Sequence, residues 1–193
     1  GIPILAFTRS RKSGTFLSSL IFVLVVGGML TVPTLRYRIG SMLDPGQNET
    51  RLNLWKTAIN VSVANPILGV GEDNWDLVFD RYRVAGFYDT TVHPHNDYLT
   101  VLVSSGMPGL LAFFSIWGVI LVMGFKSARR MQSKTLRAVA WGGAFSLVGL
   151  LVGAMFQNYY GTFINCLEWW FVAGLLMTAA KLSVLTPKEE MPA

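Results

Sequence analysis

Four apolar runs approach the thickness of a lipid bilayer, and they limit the fold more than any other feature of the chain. They are residues 14–33 (GTFLSSLIFVLVVGGMLTVP), 109–125 (GLLAFFSIWGVILVMGF), 138–156 (AVAWGGAFSLVGLLVGAMF) and 166–182 (CLEWWFVAGLLMTAAKL). About 20 residues of helix cross the roughly 30 Å of hydrocarbon in a membrane. Backbone groups in lipid must find partners within their own segment, so each run is expected to be helical. The expected class is an all-α integral membrane protein with about four transmembrane helices. Composition agrees: 52% of the 193 residues are hydrophobic, 14% are charged, and the mean hydropathy is +0.45. A soluble domain has about a quarter of its residues charged. The net charge of +5 gathers beside the apolar runs instead of forming one stripe, so no nucleic-acid partner is expected. The single Cys166 excludes an intrachain disulfide and a cysteine-rich zinc site.

Short flanks set the expected orientation. Arg9, Arg11 and Lys12 precede the first run, and Lys126, Arg129, Arg130, Lys134 and Arg137 fill the link 126–137 without an acid. The positive-inside rule puts both in the cytoplasm. Residues 1–13 then read as the end of a preceding span and a basic turn, in what is expected to be the C-terminal part of a longer protein. Residues 34–108 become one large extracytoplasmic loop, 157–165 a second outer turn, and 183–193 an inner tail. Tyr159, Tyr160, Trp169 and Trp170 are expected at the outer interface. Gly27-Gly28, Gly142-Gly143 and Gly149 with Gly153 would let helices approach closely.

The large loop reads as helical. An apolar stripe at positions 52, 55, 59 and 63 predicts a helix capped by Thr50 and ended by Asn65-Pro66. A second short helix is expected over 75–83. A third covers 96–105, with Leu99, Leu102 and Val103 on its apolar face. Gly106 would end it and Pro108 would start the next span, leaving the preceding loop about three helical turns above the membrane.

That loop, TVHPHNDYL at 91–99, holds both histidines of the chain, His93 and His95. Free N–H groups and the dipole at a helix start favour an anion. A histidine there can donate to a phosphate or accept a proton, since it titrates near neutrality. A structural reading stands beside this one: Asn96 caps the helix and the histidines are its neighbours. His93, His95 and Asp97 could supply three metal ligands, but Pro94 stiffens the link and no familiar metal pattern is completed, so no metal is expected. Arg51, four residues before Trp55, carries the planar fork that matches phosphate, or is a solvated surface residue. Arg81 and Arg83 offer the same choice, with Asp80 and Asp89 as pairing partners. Glu168, near the start of the fourth run, reads as a structural partner for a loop arginine.

The order of these features resembles the O-antigen ligase and polymerase family of membrane glycosyltransferases. Ser10-Arg11 stand before a span, Arg51 shortly before Trp55, then Asn65-Pro66-Ile67-Leu68-Gly69-Val70-Gly71. His95-Asn96-Asp97-Tyr98-Leu99 and Gly106-Met107-Pro108-Gly109 follow. The match covers roughly residues 5–125, and the last two spans only by hydropathy. The resemblance implies a fragment of a GT-C-like enzyme in the bacterial inner membrane, with its large loop periplasmic. It would move a glycan from an undecaprenyl-diphosphate carrier to an acceptor hydroxyl on lipid A core, another glycan or a protein serine. The reaction would be inverting and need no metal or cofactor. The resemblance implies His95 and Arg51 as catalytic residues, with His93, Asn96, Tyr98, Trp55, Arg81 and Arg83 around the substrate. Two rival readings remain: a membrane transporter of the inorganic-carbon type, and a non-catalytic anchor with an external binding loop. The latter expects Arg51 and His95 to lie apart.

Overall fold

The structure is a computed structural model that describes residues 11–34, 37, 40, 48–89, 93–158 and 163–185. Ser10, most of the turn at 43–50, Tyr159, Tyr160 and the tail from 186 fall outside the described residues. The described helices are α1 (Arg11–Thr31), α2 (Glu49–Ala64), α3 (Trp75–Tyr82), α4 (Asp97–Arg130), α5 (Lys134–Gly153) and α6 (Phe163–Leu185). No strand occurs among the described residues. Three helices are long and apolar enough to cross a membrane: Asp97–Arg130, Lys134–Gly153 and, within α6, Cys166–Leu185. The chain is therefore an all-α integral membrane protein. In α1 the apolar stretch Ser19–Gly28 is shorter than a span.

The chain divides into two compact units. One contains Ile116–Leu151 and the helix from Ile164; the other contains Phe22–Ser115 and Val152–Phe163.

In the first unit, Trp117 and Trp169 are fully buried and meet edge-on at 4.7 Å. Trp169, expected at the outer interface, is packed inside the protein. Neighbouring helical residues point about 100° apart, so Trp170 is half exposed while Trp169 faces the core. Leu176, also fully buried, fits against Gly124 and Gly143, where a Cβ would crowd its side chain. Gly27, Gly142 and Gly149 face open space, whereas Gly143 makes a close contact of the expected kind. Arg137 Nε and Nη2 donate to the Met131 carbonyl at 2.9 and 2.6 Å, closing the C-terminal end of α4.

In the second unit, Leu54, Ala58 and Val61 of α2 pack with Trp75, Phe79 and Val103. The helix that this apolar stripe predicts does form, but the stripe is not its buried face. Leu52, Ile59 and Val63 are exposed, and the buried face mixes small, apolar and polar residues. Polar groups win there because a strap at 84–89 needs hydrogen-bond partners. Asn53 Nδ2 donates to the Phe87 carbonyl at 3.2 Å, Val84 N–H donates to Thr57 Oγ1 at 3.3 Å, and Phe87 N–H donates to Glu49 Oε1 at 3.1 Å. Thr50 is not a cap: its Oγ1 accepts the Asp89 N–H at 3.0 Å, and Asn48 occupies the cap position.

Helix α4 breaks at Gly106, with φ 65° and ψ −169°, where the sequence predicts a stop. The break strands three backbone groups. The Met107 N–H loses its carbonyl, Val103 loses that N–H, and Ser104 faces Pro108, which has none. The turn at 65–71 supplies all three. Val70 and Gly71 N–H donate to the Val103 and Ser104 carbonyls at 2.8 and 3.0 Å, and Met107 N–H donates to the Pro66 carbonyl at 2.8 Å. Gly69 sits at φ +65°, pressed on the Ser104 backbone, and Gly106 is pressed on the Ile67 carbonyl. Two motifs distant in sequence thus form one backbone latch.

The bend is sharp. A straight helix would separate Tyr98 from Phe113 by about 22 Å. The Tyr98 ring instead lies 5.9 Å from Phe113 and stacks on Phe114 at 5.1 Å. The start of α4 therefore folds back beside the first turns of the segment after Gly106, instead of standing three turns beyond it.

Candidate active site

The histidine loop is held from three sides. Pro94, between the histidines, is fully buried, and its carbonyl accepts the Trp55 indole N–H at 2.9 Å. Trp55 also lies against Phe156 at 6.5 Å. Asp97 N–H donates to the Ala154 carbonyl at 2.8 Å. The expected third span thus ends as a helix at Gly153, and its last apolar residues, Ala154 to Phe156, form a turn supporting this loop. Asn96 is the cap: its Oδ1 accepts the Leu99 N–H at 3.1 Å, and it is 8% exposed.

His95 precedes that cap in the left-handed region, φ +52°. Histidine tolerates this conformation better than most side chains, at a cost of roughly 1–2 kcal/mol. The twist sets its ring 4.1 Å from that of His93. His95 N–H donates to His93 Nδ1 at 3.3 Å, which requires that nitrogen to be unprotonated and leaves the His93 ring proton on Nε2. Both imidazoles sit below the ordinary value of 6.5. Burial lowers His95, the Arg51 guanidinium lowers it further, and the Asp89 carboxylate pulls the other way. Burial and then His95 lower His93.

Arg51 and Trp55 are one turn apart on α2, so they share a face. While Trp55 fastens the loop through Pro94, Arg51 comes within electrostatic reach of His95. The anchor reading, which kept Arg51 and His95 apart, does not describe this arrangement. Asp89 also reaches His95, positioned by its bond to Thr50 beside Arg51. Sequence reasoning offered Asp89 only as an arginine partner, and no local pattern signals its approach to a histidine six residues on.

The remaining predicted residues do other work. Arg83 pairs with Asp80 at 3.5 Å on an exposed turn, and Arg81 lies over the Tyr82 ring at 5.4 Å. No hydrogen bond or ion pair joins either to the histidines among the described residues. Tyr98 is occupied by Phe113 and Phe114. Glu168 is exposed, and its side chain makes no ion pair among the described residues. No group of three His, Cys, Asp or Glu side chains suited to a metal occurs among them either.

The family model described as O-antigen ligase matches residues 1–114, more than half of the chain. The chain belongs to the O-antigen ligase family. The matched span includes Arg51, the histidine loop and both halves of the latch, the features that carried the resemblance in the sequence. A protein of Rickettsia prowazekii (strain Madrid E) named "Putative polysaccharide ligase RP358" is 24% identical over 197 residues. That alignment covers 92% of this O-antigen ligase family chain and 44% of the relative.

Proposed function

We infer that this unit carries the catalytic loop of a glycosyltransferase of the polysaccharide-ligase type. Its donor is a glycan on undecaprenyl diphosphate, and its acceptor is a hydroxyl of lipid A core, another glycan or a protein serine. The observation that carries the reading is the bond from Trp55 to the Pro94 carbonyl, which fastens the histidine loop to the helix that bears Arg51 and leaves Arg51 within electrostatic reach of His95.

The chemistry divides between them. A lipid diphosphate is a ready leaving group that needs its developing charge held. The Arg51 fork suits that task, and a preorganised donor of this kind contributes about 3 kcal/mol to the transition state. The acceptor alcohol must lose a proton, and His95 is the base. Its lowered pKa keeps it neutral, hence able to accept, at pH 7. Asp89 opposes part of the Arg51 effect and steadies the imidazolium as it forms. Trp55, Asn96 and His93 position the loop. Folding the histidines back beside the span suits a carrier whose diphosphate lies at headgroup level. With the basic link cytoplasmic, that level is the periplasmic face of the inner membrane, and the whole resembles a GT-C arrangement.

The pH profile tests the role of His95. A base with a lowered pKa gives activity that is full at pH 7 and falls as the pH drops below 6.5. A protonated phosphate donor would give the opposite slope, with activity lost as pH rises through the same window. Gene deletion tests the reaction class. Lipopolysaccharide without any ladder marks a ligase, while retention of single repeats marks a polymerase. An unchanged ladder with unchanged surface polysaccharide and protein glycosylation would overturn the proposal.

A further inference from the structure

Helix α4 ends on Arg129 and Arg130, and α5 opens on Lys134, with Met131, Gln132 and Ser133 between them. Both helices are of span length, so a link this short lies at headgroup level. The segment 126–137 holds five cations and no acid. Arg137 is committed to the Met131 carbonyl, which shapes the link. Arg129, Arg130 and Lys134 are exposed and form no ion pair among the described residues.

An apolar cavity of about 380 Å³ adjoins this link, lined by Leu136 and Val139 of α5 and by Trp170, Gly174, Leu175 and Leu182 of α6. Leu136 and Leu182 also pack against the buried cluster of Ala128, Met131, Ala140 and Ala179, which includes Met131 of the link, so one end of the cavity lies near the cations. From Trp170 to Leu182 the lining runs about 18 Å along the helix, close to the roughly 15 Å of one leaflet's hydrocarbon. A cationic rim over an apolar groove one leaflet deep has the charge and shape of a lipid's complement.

We propose that this is a binding site for an anionic phospholipid, with its phosphate on Arg129, Arg130 and Lys134 and one acyl chain in the cavity. The site does not depend on the transferase reading, and its test needs no activity. The full-length protein in detergent is titrated with phosphatidylglycerol, or with phosphatidylethanolamine of the same chains, and retained lipid is read by native mass spectrometry. Wild type is expected to hold phosphatidylglycerol in preference. Changing Arg129, Arg130 and Lys134 to Gln is expected to reduce that preference by about fivefold for each cation removed. Gly174→Leu tests the cavity separately. A Cβ added at Gly174 meets nothing within 4 Å, so a larger side chain there has room to enter the groove. This variant is expected to melt like wild type yet lose the bound lipid. Equal retention of the two lipids by wild type, an undiminished preference in the triple variant, or wild-type binding by Gly174→Leu would each overturn the assignment. So would displacement of the lipid by glycerol phosphate, which has no chain for the cavity.

Discussion

His95→Asn in the full-length protein is expected to lower glycan transfer by about 10²- to 10⁴-fold while expression and melting stay near wild type. Asparagine is the better substitution because His95 sits at φ +52°, where alanine adds a backbone penalty and asparagine does not. Loss of a positioned general base accounts for a factor of that size. Arg51→Gln is expected to cost about 10²-fold through the diphosphate, and it has a second signature. Removing a guanidinium that holds the His95 pKa down moves the acid limb of the pH profile towards higher pH. The measurement is transfer from a lipid-linked donor across pH 5–8. Wild-type rates from His95→Asn would reduce the histidine to a neighbour of the Asn96 cap. An unmoved acid limb in Arg51→Gln would show that the titrating base is another group.

The latch should be the most fragile part of the fold. Gly106→Ala and Gly69→Ala each put a Cβ at φ +65°, directly against a carbonyl of the opposing segment. The left-handed conformation costs roughly 1–2 kcal/mol, and an overlap with backbone, which cannot rotate away, costs roughly 1–3 more. Against a typical stability of about 5–15 kcal/mol, either change removes a large share. Thermal melting of the purified protein is expected to show a marked fall for both. Gly118→Ala is the control: it lies in α4 and its Cβ would face open space, so its melting should match or slightly exceed that of wild type. A Gly106→Ala protein that melts like Gly118→Ala would show that the segments on either side of the break do not depend on each other.

Both experiments probe places where half of the answer is legible in the sequence. Gly106 followed by Pro108 announced a break in helix α4, since glycine tolerates the left-handed turn and proline cannot donate to Ser104. Neither residue says what fills the vacated bonds. The partner, 65–71, is itself readable as a turn from Asn65-Pro66 and its glycines, yet nothing local joins one turn to the other. Asn96 was legible as a cap because a side-chain acceptor three residues before a free N–H is a local arrangement.

Helix α2 shows where periodicity misleads. An apolar stripe at 52, 55, 59 and 63 predicts the buried face only if the core is what the helix must satisfy. Here the strap at 84–89 brings unpaired backbone groups, and Asn53 and Thr57 turn inward to meet them. Leu52, Ile59 and Val63 are left outside.

By itself the sequence determined the helical membrane class, the span-length runs, the helix stops and the residue types able to handle a diphosphate and a proton. Each of these follows from rules that act over a few residues: hydropathy against bilayer thickness, backbone dihedrals, and side-chain chemistry. Only the tertiary structure decided that Arg51 reaches His95, that Asp89 joins them, that Trp55 holds Pro94 and that Trp169 is buried. Those meetings depend on how α2 rotates and how sharply α4 folds back, and both are set by packing between segments far apart along the chain.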